Sequence, residues 1–314
     1  MNTTQTLLPA SRLRPGLGAV LILIAAVLWS TSALLASAPQ LNQLPQESRS
    51  GIVAFWRAIF ALVLLLPMVR RPRFRWAMVP MVACFVAMNW TFLTALMAGP
   101  PANAIWLQNM APAWVMLAGV LWFGEQPLSK DWVMLACCSV GVGLILVMQL
   151  TQPASGAWWA PWLAILSGLS YAGVILCLRK LRNEDSAWLI ALNHLVTALA
   201  MAPLAFGHAN SIPQGNIWWV LIAFGVLQMG LPYLLFARGL KSTPSHVASL
   251  ITLLEPVLLP VWLFLVWHGH ASYQPPDWWT IVGGTLILTG LLYRFIGLRP
   301  HAGLTLAHNK RSTL

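Results

Sequence analysis

Residues 250–266 read LITLLEPVLLPVWLFLV, from Leu250 to Val266. One carboxylate, Glu255, and two prolines, Pro256 and Pro260, interrupt an apolar run in which Thr252 is the only other polar side chain. A run of this kind can enter a bilayer, where an ionisable group is costly and a proline frees a backbone carbonyl. Similar runs recur through all 314 residues, of which 59% are hydrophobic and 8% charged. A soluble domain carries about 25% charged residues, so this chain cannot cover a water-facing surface. The expected fold class is therefore an all-α integral membrane protein without a sizeable soluble domain.

Ten candidate spans of about 20 residues follow from the bilayer thickness. Their limits are 16–37, 51–69, 75–97, 102–123, 131–149, 158–179, 187–206, 216–237, 245–267 and 278–297. Pro100, Pro101, Pro153, Pro213, Pro275 and Pro276 punctuate the short connections. Placing the N-terminus in the cytoplasm orders the charges. Of the 18 Lys and Arg residues, Arg49 alone then falls in an external loop and Arg57 alone within a span. This positive-inside bias predicts a multi-pass protein of a bacterial inner membrane with both termini cytoplasmic. The pairs Trp158-Trp159, Trp218-Trp219 and Trp278-Trp279 open three spans at the external edge, where indoles favour the headgroup region.

The net charge of +11 is thus assigned to loops facing anionic lipid, and no basic stripe points to nucleic acid as a partner. Arg12 and Arg14 followed by an apolar run, with Ala36-Ser37-Ala38, imitate a signal peptide. Pro39 disfavours cleavage, and the run is long enough to span, so an uncleaved first helix is expected. Cys84, Cys137, Cys138 and Cys177 lie in apolar runs without zinc-site spacing and read as small buried hydrophobes.

The halves look related. Set against each other, AIWLQNMAPAWVMLAGVLWFG (Ala104–Gly124) and ASLITLLEPVLLPVWLFLVWHG (Ala248–Gly269) align Ala104 with Ala248 and Pro112 with Pro256. The same offset puts Ala95 on Gly239 and Phe92 on Phe236; with drift, Trp29 falls on Tyr171, Pro67 on Pro203 and Arg57 on Asn193. Five spans per half is an odd number, so the second copy lies inverted relative to the first, as in many secondary transporters. The expected organisation is one repeat over 1–150, a second over 151–299, and a polar cytoplasmic tail over 300–314.

Over residues 16 to about 297 the chain resembles the drug/metabolite transporter superfamily of the EamA type. The resemblance rests on Trp29 late in span one, FWRAIFALVLLLP (Phe55–Pro67), Pro112 followed by WFGEQPLS (Trp122–Ser129), LLEPVLLPVWLFLV (Leu253–Val266) and WTIVGGTLILTG (Trp279–Gly290). The chain departs from internal symmetry where His268-Gly269-His270 replaces Gly124-Glu125 and where Ala111 is the counterpart of Glu255. The resemblance implies ten helices, one to four and six to nine lining a central cavity, and export of amino acids, their derivatives or other small metabolites.

Candidate site residues follow from what is costly in a span. Glu255, near the midplane, can exchange a proton as a cavity opens, or be held structurally by a neighbouring helix or by Arg57. Ser245, Ser249 and Thr252 share its side of a helical wheel. Arg57 either snorkels to the external interface or faces the cavity, where it binds a carboxylate or pairs with Glu255. His194 is read as a satisfied buried histidine or as a relay or substrate contact. Asn89, Gln108, Asn109, Gln228 and Tyr233 need partners inside the membrane, from neighbouring helices or from a ligand. Trp29, Trp90, Trp106 and Tyr171 are packing residues or aromatic cavity walls suited to flat or cationic substrates. Pro112, Pro256 and Pro260 are expected helix bends.

Metalloprotease, serine-hydrolase and Walker motifs are absent from the sequence, and no cofactor or metal site is expected. The reading is a secondary transporter, proton-coupled or facilitating, for small polar metabolites such as amino acids, working as a monomer or homodimer. A broad drug exporter and a membrane-embedded enzyme or assembly factor are the alternatives. A transporter predicts that Glu255, Gln108 and Asn109 line one central cavity.

Overall fold

The computed structural model describes residues 15–295 apart from 125, 152–156, 182, 208–210, 241, 244, 271, 272 and 274. The expected tail, like Arg12, Arg14 and Glu125, lies outside the described residues. The described residues are all-helical, with no strand among them. In order they form α1 (Pro15–Trp29), α2 (Ser32–Ala36), α3 (Arg49–Leu65), α4 (Met78–Ala98), α5 (Pro101–Gln108), α6 (Ala111–Phe123) and α7 (Ser129–Thr151). The order continues with α8 (Ala160–Lys180), α9 (Ser186–Phe206), α10 (Ile217–Ala223), α11 (Leu231–Gly239), α12 (Ser245–Thr252), α13 (Leu254–Trp267) and α14 (Trp278–Phe295).

Among the described residues, eight stretches of helix are long and apolar enough to cross a membrane: Gly16–Ala36, Arg49–Met68, Met78–Ala98, Pro101–Trp122, Ser129–Thr151, Ala160–Leu178, Ser186–Phe206 and Ile217–Gly239. Helix α13 is shorter but equally apolar. The protein is a multi-pass membrane protein. Its helices expose Leu121, Trp122, Val140, Leu199 and Trp219 widely, as lipid-facing surfaces do.

Sequence neighbours do not dominate the packing. Helix α1 lies along α11, α4 along α8, α3 along α9, and α7 along α14. Helices α5 and α6 cover α8, while α12 and α13 cover α1. Lipid tails are as apolar as leucine, so burial alone does not hold such helices together; close backbone approach and interhelical hydrogen bonds do. At the α7–α14 seam, a Cβ on Gly141 would stand 2.5 Å from the Gly283 carbonyl oxygen, and one on Gly283 would stand 2.7 Å from that of Gly141.

Buried polar ties fix both ends of that pair. At one end Asn103 of α5 donates to Gln149 of α7 (3.0 Å), and Thr280 of α14 donates to the Asn103 carbonyl (2.5 Å). At the other end Asp131 pairs with Arg294 and accepts the Leu128 amide at 2.7 Å.

A second network joins the 70–76 connection to the α8–α9 turn. Asp185 caps α9 by accepting the Ala187 amide (3.0 Å), and its other oxygen accepts the amides of Arg70 (2.7 Å) and Arg71 (3.0 Å). Arg75 pairs with Glu184 at 2.9 Å, and the Trp188 indole donates to the Arg73 carbonyl at 2.8 Å. Burial pushes the Asp185 carboxyl up, but the backbone amides of Arg70, Arg71, Ala187 and Trp188 outweigh it and hold the group below the usual carboxylate range.

Candidate functional site

Four of the apolar stretches are irregular in mid-course. Between α1 and α2 the chain turns at Ser30-Thr31, whose hydroxyls donate to the carbonyls of Val27 (2.6 Å) and Leu28 (2.7 Å). Local hydroxyl bonds of this kind compete with the helix ladder. Helix α13 is held to that turn: Trp262 donates to Ser30 Oγ (2.8 Å) and Trp267 to the Leu34 carbonyl (3.0 Å).

Between α5 and α6 the break falls at Asn109-Met110, two to three residues before Pro112. Between α12 and α13 it falls at Leu253, three residues before Pro256. Both prolines therefore sit in the first turn of the new helix, where a missing amide costs little. Pro260 lies within α13 and does not break it.

The fourth irregularity joins α10 to α11. Residues Phe224–Gly230 form a π-helical segment, a rare element that is frequent at functional sites. Pro232 has no amide to return to the Gln228 carbonyl, which accounts for the slackened turn. The segment seats on α3 through glycines: a Cβ on Gly225 would stand 2.5 Å from Phe60 Cβ and 2.7 Å from the Arg57 carbonyl oxygen.

Arg57 is the hub. Its side chain is 3% exposed, and Nη2 donates to Asn89 Oδ1 at 2.7 Å. Asn89 donates in turn to the Phe85 carbonyl at 3.0 Å, which fixes its amide. The guanidinium lies 5.0 Å from the Phe224 ring centroid, within cation–π range. The structure thus gives Arg57 to Asn89 and Phe224; among the described residues it makes no ion pair with Glu255, and it does not snorkel to a surface.

Rings build out from this hub. Phe85 meets His194 edge-to-face (5.2 Å) and Tyr233 (5.9 Å), and His194 meets Tyr233 (6.2 Å). Trp29, at the α1–α2 turn, packs on Tyr233 (5.0 Å) and Phe236 (5.1 Å). Tyr171 is half-buried and packs on the cluster that contains Phe85, Met88 and Val174.

Around these rings buried polar atoms are left over. Arg57 Nη1, both ring nitrogens of His194, Trp29 Nε1, Asn193 Oδ1 and Gln228 Oε1 meet no hydrogen-bond partner among the described residues. Native interiors leave few such atoms, so each calls for an explanation; others occur away from these rings, at Ser32, Trp56 and Trp114. His194 is 0% exposed, which makes it buried but not satisfied.

Glu255 opens α13 and is half-buried, within electrostatic reach of Tyr171 and Tyr233. Thr252, one turn earlier, is also half-buried; the side chains of Ser245 and Ser249 lie outside the described residues. Gln108 and Asn109 are placed differently. Gln108 donates to Ser167 Oγ of α8 (2.7 Å), which donates on to the Met88 carbonyl of α4 (3.2 Å). Asn109 donates back to the Ile105 carbonyl (2.9 Å). Both amides thus hold the α5–α6 break together. Trp106 packs on α14, where a Cβ on Gly284 would stand 2.3 Å from its indole, and Trp90 is exposed.

Three features were not legible in the sequence: the close approach of Gly225, the ring of Phe224 and the unsatisfied oxygen of Asn193. Gln228, expected to need a partner, has its oxygen without one among the described residues. Pro232 was the available signal for the π segment.

Comparison with known proteins gives a consistent picture. The pattern of the EamA-like transporter family matches residues 16–147 and again 158–295. A riboflavin transporter of Rhizobium johnstonii is 26% identical over 306 residues, 93% of this chain and 95% of that one. A pseudopaline exporter of Pseudomonas aeruginosa is 25% identical over 195 residues, 62% of this chain and 65% of that one. One solved crystal structure, at 18% identity, superposes with a TM-score of 0.59 over 88% of this chain and 95% of that one, and so shares the fold.

Proposed function

We propose, from the premise that this chain belongs to the EamA-like transporter family, that it moves small polar metabolites such as amino acids or their derivatives by alternating access around a site in mid-membrane. The observation that carries the reading is the convergence just described. The interrupted helices α1–α2 and α10–α11, one from each half, reach the same cluster: Trp29 packs on Tyr233, which meets His194, and the π segment packs on Arg57. Arg57 and His194 are buried there with polar atoms unspent, as are Asn193, next to His194 on α9, and Gln228 of the π segment. Irregular backbone at membrane depth is tolerated only where it is buried in protein or lines a cavity, and broken helices in matching positions of two halves point to a transport site.

The helices are read as ten crossings: α1 with α2, α3, α4, α5 with α6, α7, α8, α9, α10 with α11, α12 with α13, and α14. Residues 1–150 and 151–299 are the two inverted repeats, with a tail from 300 to 314. The packing supports this. Exchanging the halves carries the α1–α11 pair onto α8–α4, and carries α3–α9 and α7–α14 onto themselves. It also carries the α5–α6 cover of α8 onto the α12–α13 cover of α1. The two family matches, at 16–147 and 158–295, agree with the same division. The protein lies in a bacterial inner membrane with both termini cytoplasmic, as a monomer or a homodimer.

In this account Arg57, oriented by Asn89, receives an anionic group of the substrate. Glu255 exchanges a proton or contacts the substrate beside Tyr171 and Tyr233. His194 faces the same substrate through its unsatisfied nitrogens. Gln108, Asn109, Pro112 and Pro256 shape the bends around which the halves rock, with Pro260 stiffening the helix beyond. Transport proceeds outward, as with the pseudopaline exporter, driven by a proton gradient.

The test is a substrate screen in proteoliposomes with and without a pH gradient. Glu255→Gln should abolish gradient-driven accumulation and spare counterflow. Accumulation that survives unchanged removes Glu255 from the coupling role. A compound panel in which every flat drug-like molecule is carried equally would favour the broader drug exporter.

A further inference from the structure

We infer that the site around Arg57 takes a flat, unsaturated carboxylate that also carries an N–H or O–H group. The inference rests on the reading of this cluster as a transport site and names the substrate it fits.

The charge of the ligand follows from Arg57. A guanidinium stays charged at any physiological pH. Here it is buried and, among the described residues, makes a single hydrogen bond, to a neutral amide, and leaves its Nη1 unspent. A buried charge without a counter-charge is expensive, and the Phe224 face offsets only part of that cost. A carboxylate at Nη1 supplies the missing anion and a charge-assisted hydrogen bond. A cationic or neutral ligand would leave the guanidinium uncompensated. The Trp29 Nε1 donor, also buried and unspent, can serve an oxygen of the same ligand.

The body of the ligand follows from the walls. Trp29, Phe85, His194, Tyr233 and Phe236 form a chain of ring contacts, with centroids 5.0 to 6.2 Å apart and mostly edge-to-face. Such an arrangement offers alternating ring faces and edges, which complement another flat π-system better than a saturated chain. The acceptors complete the description. Asn193 Oδ1 and Gln228 Oε1 have no hydrogen to give, so each needs a donor, and the protein around them supplies none among the described residues. A hydroxyl or amine on the ligand is the donor these oxygens call for.

The experiment uses the full chain in lipid nanodiscs and three matched probes, read by titration calorimetry: 4-hydroxycinnamate, its amide, and 3-(4-hydroxycyclohexyl)propanoate. The first has charge and flatness, the second loses the charge, and the third loses the flatness. The expected result is that 4-hydroxycinnamate binds at least about tenfold tighter than either analogue. Arg57→Gln, which removes the charge and keeps a hydrogen-bond donor, should erase most of the acid-over-amide preference. Because the three-probe comparison needs only the unmodified protein, a poorly folding variant does not decide it. Equal binding of acid and amide overturns the assignment, as does no binding of the acid.

Proteoliposome counterflow separates the two readings. If 4-hydroxycinnamate binds as expected but nothing is carried, the ligand class stands and the transport reading fails. If other metabolites are carried while none of the probes binds, transport stands and the ligand class fails.

Discussion

Asp185→Ala should loosen the tie between the two halves of the chain. The carboxylate accepts three backbone amides: Ala187 within its own helix, at 3.0 Å, and Arg70 and Arg71 of the 70–76 connection, at 2.7 and 3.0 Å. Loss of an N-cap acceptor costs about 1 kcal/mol. Hydrogen bonds to a charged group reach about 1.5–3 kcal/mol when shielded. The two loop bonds are solvent-exposed, so the pair together is discounted to about 1 kcal/mol. The sum is about 2 kcal/mol, a fall of roughly 4–8 °C in thermal midpoint at about 2–4 °C per kcal/mol.

The pH dependence has a definite sign. The Asp185 carboxyl is held below its ordinary range by those amides, burial opposing them. Its contribution is therefore complete above the unfolded carboxylate value, about 3.9, and is lost as pH falls through the lower folded value. A thermal-shift scan of the purified protein from neutral pH down to about 3 is the assay. The wild type should lose part of its margin only below about pH 4, and Asp185→Ala should lack that component. An unchanged midpoint in Asp185→Ala, or an equal acid loss in both proteins, refutes the reasoning.

Three further outcomes follow. Asp131→Ala strands the half-buried Arg294 that it neutralises, and breaking such a pair costs about 3 kcal/mol or more; size-exclusion profiles should show less monodisperse protein, with partial recovery in Asp131→Ala/Arg294→Met. Gly225→Ala places a methyl 2.5 Å from Phe60 Cβ and 2.7 Å from the Arg57 carbonyl, so the π segment must shift. Overpacking of this kind costs about 1–3 kcal/mol, and counterflow in proteoliposomes should fall more steeply than the thermal midpoint. Thr280→Val removes the donor to Asn103 while preserving shape. It should lower the midpoint by about 1–3 kcal/mol-equivalents, because Asn103 is buried with its carbonyl unsatisfied.

The helices were legible because a bilayer imposes a length. Runs such as 51–69 and 187–206 needed only apolarity to be read, and the structure returns them as Arg49–Met68 and Ser186–Phe206. The bends at Pro112 and Pro256 were legible from proline chemistry, although the structure puts the break two to three residues ahead of each ring. The α1–α2 turn was not legible. It arises from the Ser30 and Thr31 hydroxyls and from Trp262 and Trp267, more than two hundred residues away.

The site was legible by residue type and not by pairing. Arg57, Asn89, His194 and Tyr233 stood out as polar groups inside spans, and the structure brings them together. The sequence offered Glu255 as a partner for Arg57; distance along the chain could not reveal that Asn89 and Phe224 would reach it instead. Gln108 and Asn109 looked like ligand contacts for the same reason, yet Ser167 and the Ile105 carbonyl take their amides. The Asp185 network was invisible because it depends on which loops the fold sets side by side.

Access to the mid-membrane site from both faces is the central claim, and cysteine labelling tests it most directly. With Cys84, Cys137, Cys138 and Cys177 replaced, Tyr171→Cys places one thiol on the cluster that holds Phe85, close to Glu255. Alternating access predicts that a membrane-impermeant maleimide reaches this thiol from either face of oriented vesicles, and that a transported substrate slows labelling from both. Labelling from one face alone, whatever the substrate, would contradict alternating access and leave the cluster as a fixed pocket.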